Sequence, residues 1–327
     1  SSRAEKSVKE LSFNFIKELE GKMAGKYGGV KTGFPKYDQL TDGLHKTDLI
    51  IVAARPSMGK SLFALQIGKQ VAEQSSPVGI FSLEMSGIQL VGRLNVAESG
   101  VFADKIKNGK LDTYEFQRVF DATGKISNLP MFIDDTPALN IIELRARAIR
   151  LKLKYGIKLL IVDYIQLIKG SSDYNSRTNR DQEIGIITRT LKTIAKEIDV
   201  PVMALSQLSR DVEKRGGDKR PVLSDLRESG SIENDADQVI FLYRPEYYHI
   251  KTTEDNQDTH GLCEVIVAKH RNGGLDTIRQ KFIGNQNRFT EWTSDITPMN
   301  QSSYVSQHYK NPLPSERTPD QIKDTPF

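Results

Sequence analysis

At 327 residues the chain can bury a sizeable core in one large domain or two smaller ones. Its 46 basic against 42 acidic residues leave a net charge of +4, too mild for binding nucleic acid through bulk charge, so any such site must be local. The single cysteine, Cys263, excludes an intrachain disulfide framework and fits a reducing cytoplasm; neither a membrane span nor a charged-then-apolar leader is expected.

The chain opens Ser1-Ser2 rather than with Met, as expected if an upstream part has been cut away. Residues 1–20 predict an amphipathic helix, with Val8, Leu11, Phe15 and Leu19 in one stripe and Phe13 and Ile16 beside it. Gly21, Gly25, Gly28 and Gly29 then predict a flexible hinge, so a first segment runs over 1–26. A helix of this length is marginal alone in water, and its stripe must cover either its own body or a neighbour. From about 31 onward short apolar strands, at 49–53, 78–83, 131–134, 158–162, 202–205, 238–242 and 263–268, alternate with helices near 61–74, 86–97, 112–123, 140–155 and 181–199. That alternation predicts an α/β domain with a mostly parallel sheet covered by helices on both faces. Long polar loops are expected at 170–181 and 210–225, and loops of that length in a compact domain are functional or disordered. Beyond Trp292, residues 293–327 are poor in apolar side chains and predict a disordered tail.

The strongest motif is Ala54-Arg55-Pro56-Ser57-Met58-Gly59-Lys60-Ser61, which lies between a predicted strand and a predicted helix. In that context a Gly-Lys-Ser triplet is a phosphate-binding loop. Backbone N–H groups from Ser57 through Gly59 to Lys60 and on to Leu62 cradle the β-phosphate, aided by the helix N-terminus; Pro56 has no N–H to offer. Lys60 reaches the β- and γ-phosphates of ATP, and the Ser61 hydroxyl completes a Mg²⁺ shell. Ala54 stands where the strict pattern has Gly, so that position should not need a positive φ.

Three strand ends carry the remaining chemistry. Lys158-Leu159-Leu160-Ile161-Val162-Asp163 is an apolar strand ending in a carboxylate placed to hold Mg²⁺. Tyr164 follows instead of an acid, so the hydrolytic base must come from elsewhere, and Glu84 at the end of 78–83 is placed for it. Glu84 could alternatively cap the helix that follows. Gln207, ending the strand 202–205 and Ser206, can sense the γ-phosphate or be satisfied by nearby backbone.

These stretches, with Ser-Leu-Glu-Met at 82–85, Ile-Val-Asp-Tyr-Ile-Gln-Leu-Ile at 161–168, Ala-Leu-Ser-Gln-Leu-Ser-Arg at 204–210, Leu-Arg-Glu-Ser-Gly-Ser-Ile-Glu-Asn-Asp-Ala-Asp at 226–237 and Lys-His-Arg-Asn-Gly at 269–273, resemble in order the C-terminal motor domain of DnaB-type replicative hexameric DNA helicases. The resemblance covers 27–292 and implies a RecA-like mostly parallel β-sheet flanked by helices, with 1–20 as a linker helix docked on the adjacent subunit. It implies an ATP hydrolase that assembles as a homo-oligomeric ring of six, translocates on single-stranded DNA and unwinds duplex at replication forks, with a helicase loader and primase as partners. Arg271, with Lys269, resembles a finger inserted into the next subunit's ATP site. Arg227, Glu228, Gly230 and Ser231 match the loop that holds the DNA backbone in the channel. Residues 210–220, with five basic and three acidic side chains around Gly216-Gly217, are a second channel loop or a solvated charged face. Neither loop has interleaved aromatics, so phosphate tracking is expected rather than base stacking. The rival functions are a RecA-like recombination or repair ATPase and a ring scaffold that binds ATP without unwinding.

Overall fold

The computed structural model describes residues 7–24, 28–170 and 180–292, without the side chains of 18, 22 and 227–231. These residues fall within one compact unit, Ser1–Trp292. The expected tail at 293–327 and most of the expected loop at 170–181 lie outside the described residues.

In chain order the elements are α1 (Val8–Met23), α2 (Pro35–Thr41), β1 (Leu49–Ala54), α3 (Lys60–Glu73), β2 (Val78–Ser82), α4 (Gly87–Ser99), α5 (Ala103–Asn108), α6 (Thr113–Ser127) and β3 (Met131–Asp134). There follow α7 (Ile141–Tyr155), β4 (Leu159–Asp163), α8 (Arg180–Ile198), β5 (Val202–Gln207), α9 (Asp211–Lys214), α10 (Gly230–Asp235), β6 (Gln238–Tyr243), β7 (Leu262–His270), β8 (Asp276–Ile283) and β9 (Arg288–Glu291). The strands form one sheet in the order β3-β2-β4-β5-β1-β6-β7-β8-β9. From β3 to β6 every pairing is parallel; β7, β8 and β9 continue the sheet antiparallel.

The central strands are apolar throughout because both faces are covered. Side chains alternate across a strand: Ile50, Val52 and Ala54 of β1 join one core with Phe63, Leu65 and Ile67 of α3, while Leu49, Ile51 and Ala53 join the other with α7 and α8 residues such as Leu144, Leu191 and Ile194. A one-residue slip of β1 would exchange its two faces between cores built of different side chains. The covering helices carry strong end signals. In α6 and α7, Asp112 with Glu115 and Asn140 with Glu143 form reciprocal capping boxes, and α7 stops at Gly156 in the left-handed region (φ 64°).

Several expectations are corrected. The strands β8 and β9 lie where no strand is expected, because Asp-Thr-Ile-Arg-Gln-Lys-Phe-Ile is half polar and half-exposed, as suits the outer part of a sheet. The short helices α2 and α5 have too few turns to show a period. Gly21 does not end α1, which runs on to Met23. The segment 210–225 is no free loop. It contains α9, and Arg215 pairs with Asp225 (3.1 Å), Arg220 with Glu264 (2.8 Å), and the Tyr243 hydroxyl donates to the Asp218 carbonyl. The stripe of α1 is exposed along its length, with Phe13 66% and Phe15 63% accessible.

Candidate nucleotide site and nucleic-acid surface

Parallel pairing brings the expected site strands out at one edge, side by side, in the order β2, β4, β5, β1. The registers align their ends: Ser82 with Asp163, and Ala54 with Gln207. The Leu83 N–H donates to the Asp163 carbonyl (2.8 Å), and Glu84 stands two residues past Ser82, the register partner of Asp163. Glu84 is exposed to solvent, and the helix behind it is capped by Ser86 with Gln89 rather than by Glu84.

The phosphate loop forms as its sequence requires. Positive φ occurs at Ser57 (67°) and Gly59 (92°), and Ala54 finishes β1 with no such demand. A Cβ at Gly59 would also lie 3.1 Å from Phe289 Cζ and 3.2 Å from Phe282 Cε2, so glycine is needed for both shape and space. The first bond of α3 runs from the Phe63 N–H to the Gly59 carbonyl (2.9 Å). The N–H groups of Lys60, Ser61 and Leu62 therefore head the helix without partners inside it, as an anion site needs. The side chains of Met58 and Leu62 are buried in the core, so these two positions can contribute only backbone to a ligand.

The charges at this edge are partly buried and face one another. Burial lowers the pKa of Lys60, against the pull of Asp163 and Glu84; its ammonium lies 4.8 Å from the centroid of the Tyr164 ring. Burial raises the pKa of Asp163, against its hydrogen bond with Ser61 and the charges of Lys60 and Arg93. Asp163 Oδ1 is buried without a hydrogen-bond partner. An orphaned carboxylate oxygen beside a serine hydroxyl suits a hard divalent cation whose other ligands are water and phosphate oxygens. No cluster of three or more His, Cys, Asp or Glu among the described residues offers a competing metal site.

Gln207 is exposed at the end of β5, while its backbone is held by Gln166: the Gln207 N–H donates to Gln166 Oε1 (3.3 Å), and Gln166 Nε2 donates to Ser206 Oγ (2.9 Å). Gln166 lies inside the 161–168 motif, yet nothing in the sequence distinguishes it from its neighbours. Two arginines also escape a reading of the sequence. Arg55, 7% exposed, donates to the Leu208 carbonyl (2.8 Å) and pairs with Glu213 (2.8 Å), tying the phosphate loop to the segment after Gln207. Arg244 donates to the Ser57 carbonyl (3.1 Å) and stacks on the Phe282 ring at 4.1 Å. Arg55 sits at a variable position of the motif, and Arg244 is 187 residues from Ser57, so only the fold brings it there.

Lys269 and Arg271 are not at this edge. His270 pairs with Gln238, and the Arg271 N–H donates to the Asp237 carbonyl (2.9 Å), level with the start of β1. From there to Ala54 is about five residues of strand, roughly 16 Å at 3.3 Å per residue. These cations therefore lie at the opposite end of the strands from their own phosphate loop. Of the expected nucleic-acid loop, Arg227 and Glu228 lie in a 3₁₀ segment, Leu223–Ser229, and Gly230 and Ser231 start α10; the side chains of these four are outside the described residues.

A sheet of this order, with a phosphate loop after β1 and carboxylates at the ends of β2 and β4, defines a RecA-like phosphate-loop domain. Comparison with known proteins narrows it. Residues 29–291 match the family model described as DnaB-like helicase C terminal domain, and the chain belongs to that family. It is 45% identical over 292 residues to "Replicative DNA helicase DnaB" of Geobacillus stearothermophilus, covering 88% of this chain and 62% of the relative. It is 46% identical over 285 residues to "Replicative DNA helicase DnaC" of Bacillus subtilis (strain 168), covering 87% and 61%. The chain thus spans about three-fifths of the length of these relatives. Among solved structures it is similar to one described as an ATPase domain (TM-score 0.81, 36% identity, 89% of this chain and 100% of the other). It also resembles "The Structure Of A DnaB-Like Replicative Helicase And Its Interactions With Primase" (TM-score 0.79, 36% identity, 88% and 69%).

The site's geometry separates two roles that lie side by side. Lys60→Ala removes the cation at the phosphate loop and is expected to weaken ATP binding and abolish turnover. Glu84→Gln keeps Lys60, Ser61 and Asp163, so it should bind nucleotide near wild-type affinity while turnover falls by about 10²–10⁴-fold. Filter binding and phosphate release on both variants check this; near wild-type turnover by Glu84→Gln would remove Glu84 as the base.

Proposed function

We propose that this chain is the motor part of a replicative DNA helicase, acting as an ATP-hydrolysing ring, six chains around, that moves along single-stranded DNA and unwinds duplex at the fork. The observation that carries this reading is the separation of the nucleotide edge from Lys269 and Arg271. A subunit that holds Lys60, Asp163, Glu84 and Gln207 at one edge and its finger cations at the other completes a catalytic site only against a neighbour.

ATP with Mg²⁺ would supply the phosphoryl group to be transferred. Lys60 and the N–H groups from Ser57 to Leu62 bind and orient it, while Ser61 and Asp163 hold the cation. Glu84 takes a proton from, or orients, the attacking water, and Gln207 contacts the γ-phosphate. Arg271 of an adjacent subunit, with Lys269, stabilises charge spreading over the γ-phosphoryl oxygens, a contribution on the order of 10³–10⁵ in rate. Arg227 to Ser231 hold the DNA backbone without reading sequence. The exposed stripe of α1 supports its docking on the adjacent subunit as a linker. Likeness to a DnaB-like helicase whose structure was determined with its primase interactions supports primase as a partner. A helicase loader is a further partner implied by the family, and cytoplasm is the proposed location.

Unwinding of a forked duplex, dependent on ATP and abolished in Glu84→Gln, tests the function. DNA-stimulated ATPase with no unwinding would favour a recombination or repair ATPase, and ATP binding without phosphate release a scaffold. The trans arrangement has its own test: Arg271→Ala and Lys60→Ala, each inactive alone, are mixed under conditions where energy transfer between labelled subunits shows exchange. At junctions pairing an intact phosphate loop with an intact finger, a measurable fraction of ATPase activity should return. Background activity despite exchange would mean the finger does not act in trans. Removing residues 1–20 should yield smaller sedimenting species at a concentration where the full chain forms rings; unchanged sedimentation would mean that α1 takes no part in ring assembly.

A further inference from the structure

Where β4 leaves the sheet, a side chain takes its place beside β5. β4 ends at Asp163, and the chain turns into the 3₁₀ segment Ile165–Leu167. Among the described residues the pairing of β4 with β5 ends at Val162 with Ala204, whereas β1 stays paired with β5 as far as Ala54 with Gln207. Along a strand the backbone groups of successive residues point to opposite sides. The Leu208 N–H donates to the Ala54 carbonyl (3.1 Å), so the N–H and carbonyl of Gln207 point the other way, into the space that β4 has left. Gln166 fills it. Its Oε1 accepts from the Gln207 N–H (3.3 Å), and its Nε2 donates to the Gln207 carbonyl (3.3 Å) and to Ser206 Oγ (2.9 Å). The amide stands on a firm base: Ile165 and Ile168 are buried to either side, the Ile168 N–H closes on the Ile165 carbonyl (3.2 Å), and Arg180 of α8 donates to the Gln166 carbonyl (2.6 Å).

We propose that Gln166 is a positioning residue for ATP hydrolysis: its side-chain amide replaces the strand partner that β4 no longer supplies and fixes the peptide from which Gln207 reaches the γ-phosphate. The inference rests on the reading given above, in which Gln207 contacts that phosphate. A strand end that has lost one neighbour keeps its backbone groups solvated and its last peptide free to turn. Here the following residue is already tied to the phosphate loop, since the Leu208 carbonyl accepts from Arg55 (2.8 Å) and its N–H donates to Ala54. Gln166 supplies the hold on the opposite side, so the Gln207 backbone is fixed between the exit of β4 and the phosphate loop while its side chain stays exposed. Loss of the amide leaves Lys60, Ser61 and Asp163 in place, so nucleotide and cation still bind. It frees the Gln207 peptide to drift, and a small misplacement of a group that acts on the reacting phosphate is costly in rate. Gln166 therefore bears on turnover and not on ATP affinity.

A double-mutant cycle on the full chain tests this through ATPase kinetics without DNA, with circular dichroism and sedimentation confirming folded protein in its wild-type assembly. Gln166→Met keeps the length of the side chain and removes both amide atoms. It should lower kcat by roughly tenfold or more, with the KM for ATP and ATP retention in filter binding within about twofold of wild type. Gln207→Ala should lower kcat at least as far. Adding Gln166→Met to Gln207→Ala should then cost less than about twofold more, because the positioned group is already gone. Should Gln166→Met fail to fold, Gln166→Glu goes through the same cycle; it keeps an acceptor for the Gln207 N–H but sets an oxygen against the Gln207 carbonyl. Wild-type kcat in the folded Gln166 variant overturns the proposal, as does a loss of ATP affinity in place of turnover. Losses that multiply in the double variant overturn it too, since Gln166 would then act other than through Gln207. Wild-type turnover by Gln207→Ala is a separate result: it removes Gln207 from the reaction and sinks the reading on which the proposal rests.

Discussion

In a parallel ladder all strands run the same way, so every C-terminal end emerges at one edge. Here β2, β4, β5 and β1 are adjacent and in register, with Ser82 beside Asp163 and Ala54 beside Gln207. The candidate site residues from Lys60 to Gln207 thereby lie at one edge of the sheet without any long loop to carry them. Apolar burial fixes the register, because the alternate faces of β1 enter two separate cores.

The antiparallel strands that follow have a different consequence. β7 runs back from the nucleotide edge and ends at the foot of the sheet, so His270 pairs with Gln238 and Arg271 reaches Asp237. The same extension returns β8 and β9 to the top. There Phe282 and Phe289 roof Gly59, and Gln66 of α3 holds Phe289 by both its backbone N–H (2.7 Å) and carbonyl (2.8 Å). One hairpin system therefore seats the phosphate loop and places Lys269 and Arg271 far from it.

Burial gives the site its electrostatic character. Lys60 and Asp163 are each disfavoured in the charged state by loss of solvent, and each is supported by the other. Asp163 keeps one oxygen without a partner. A cation and a polyphosphate entering this edge relieve both costs, since a dry site strengthens each interaction made in it. Arg55 connects the loop to Leu208 and Glu213, so the loop and the segment after Gln207 are held together by one buried side chain.

The candidate site's phosphate loop and the succession of core strands and helices were legible in the sequence because they are local. The run from Ala54 to Ser61 between an apolar strand and a helix needs only neighbouring residues to become a phosphate loop, and Asp163 and Glu84 are marked by the buried strands they end. What the tertiary structure decided is which distant groups share a space. Phe282 and Phe289 over Gly59, Arg244 on Ser57 and Arg55 on Glu213 join positions whose spacing follows no period, since each contact depends on how strands are ordered across the sheet. The β8 strand was invisible for the same reason: its half-polar pattern makes sense only beside β7 and β9. The resemblance named Lys269 and Arg271, but only the reversal of β7 shows that they lie at the foot of the sheet, on α10 and away from their own nucleotide edge.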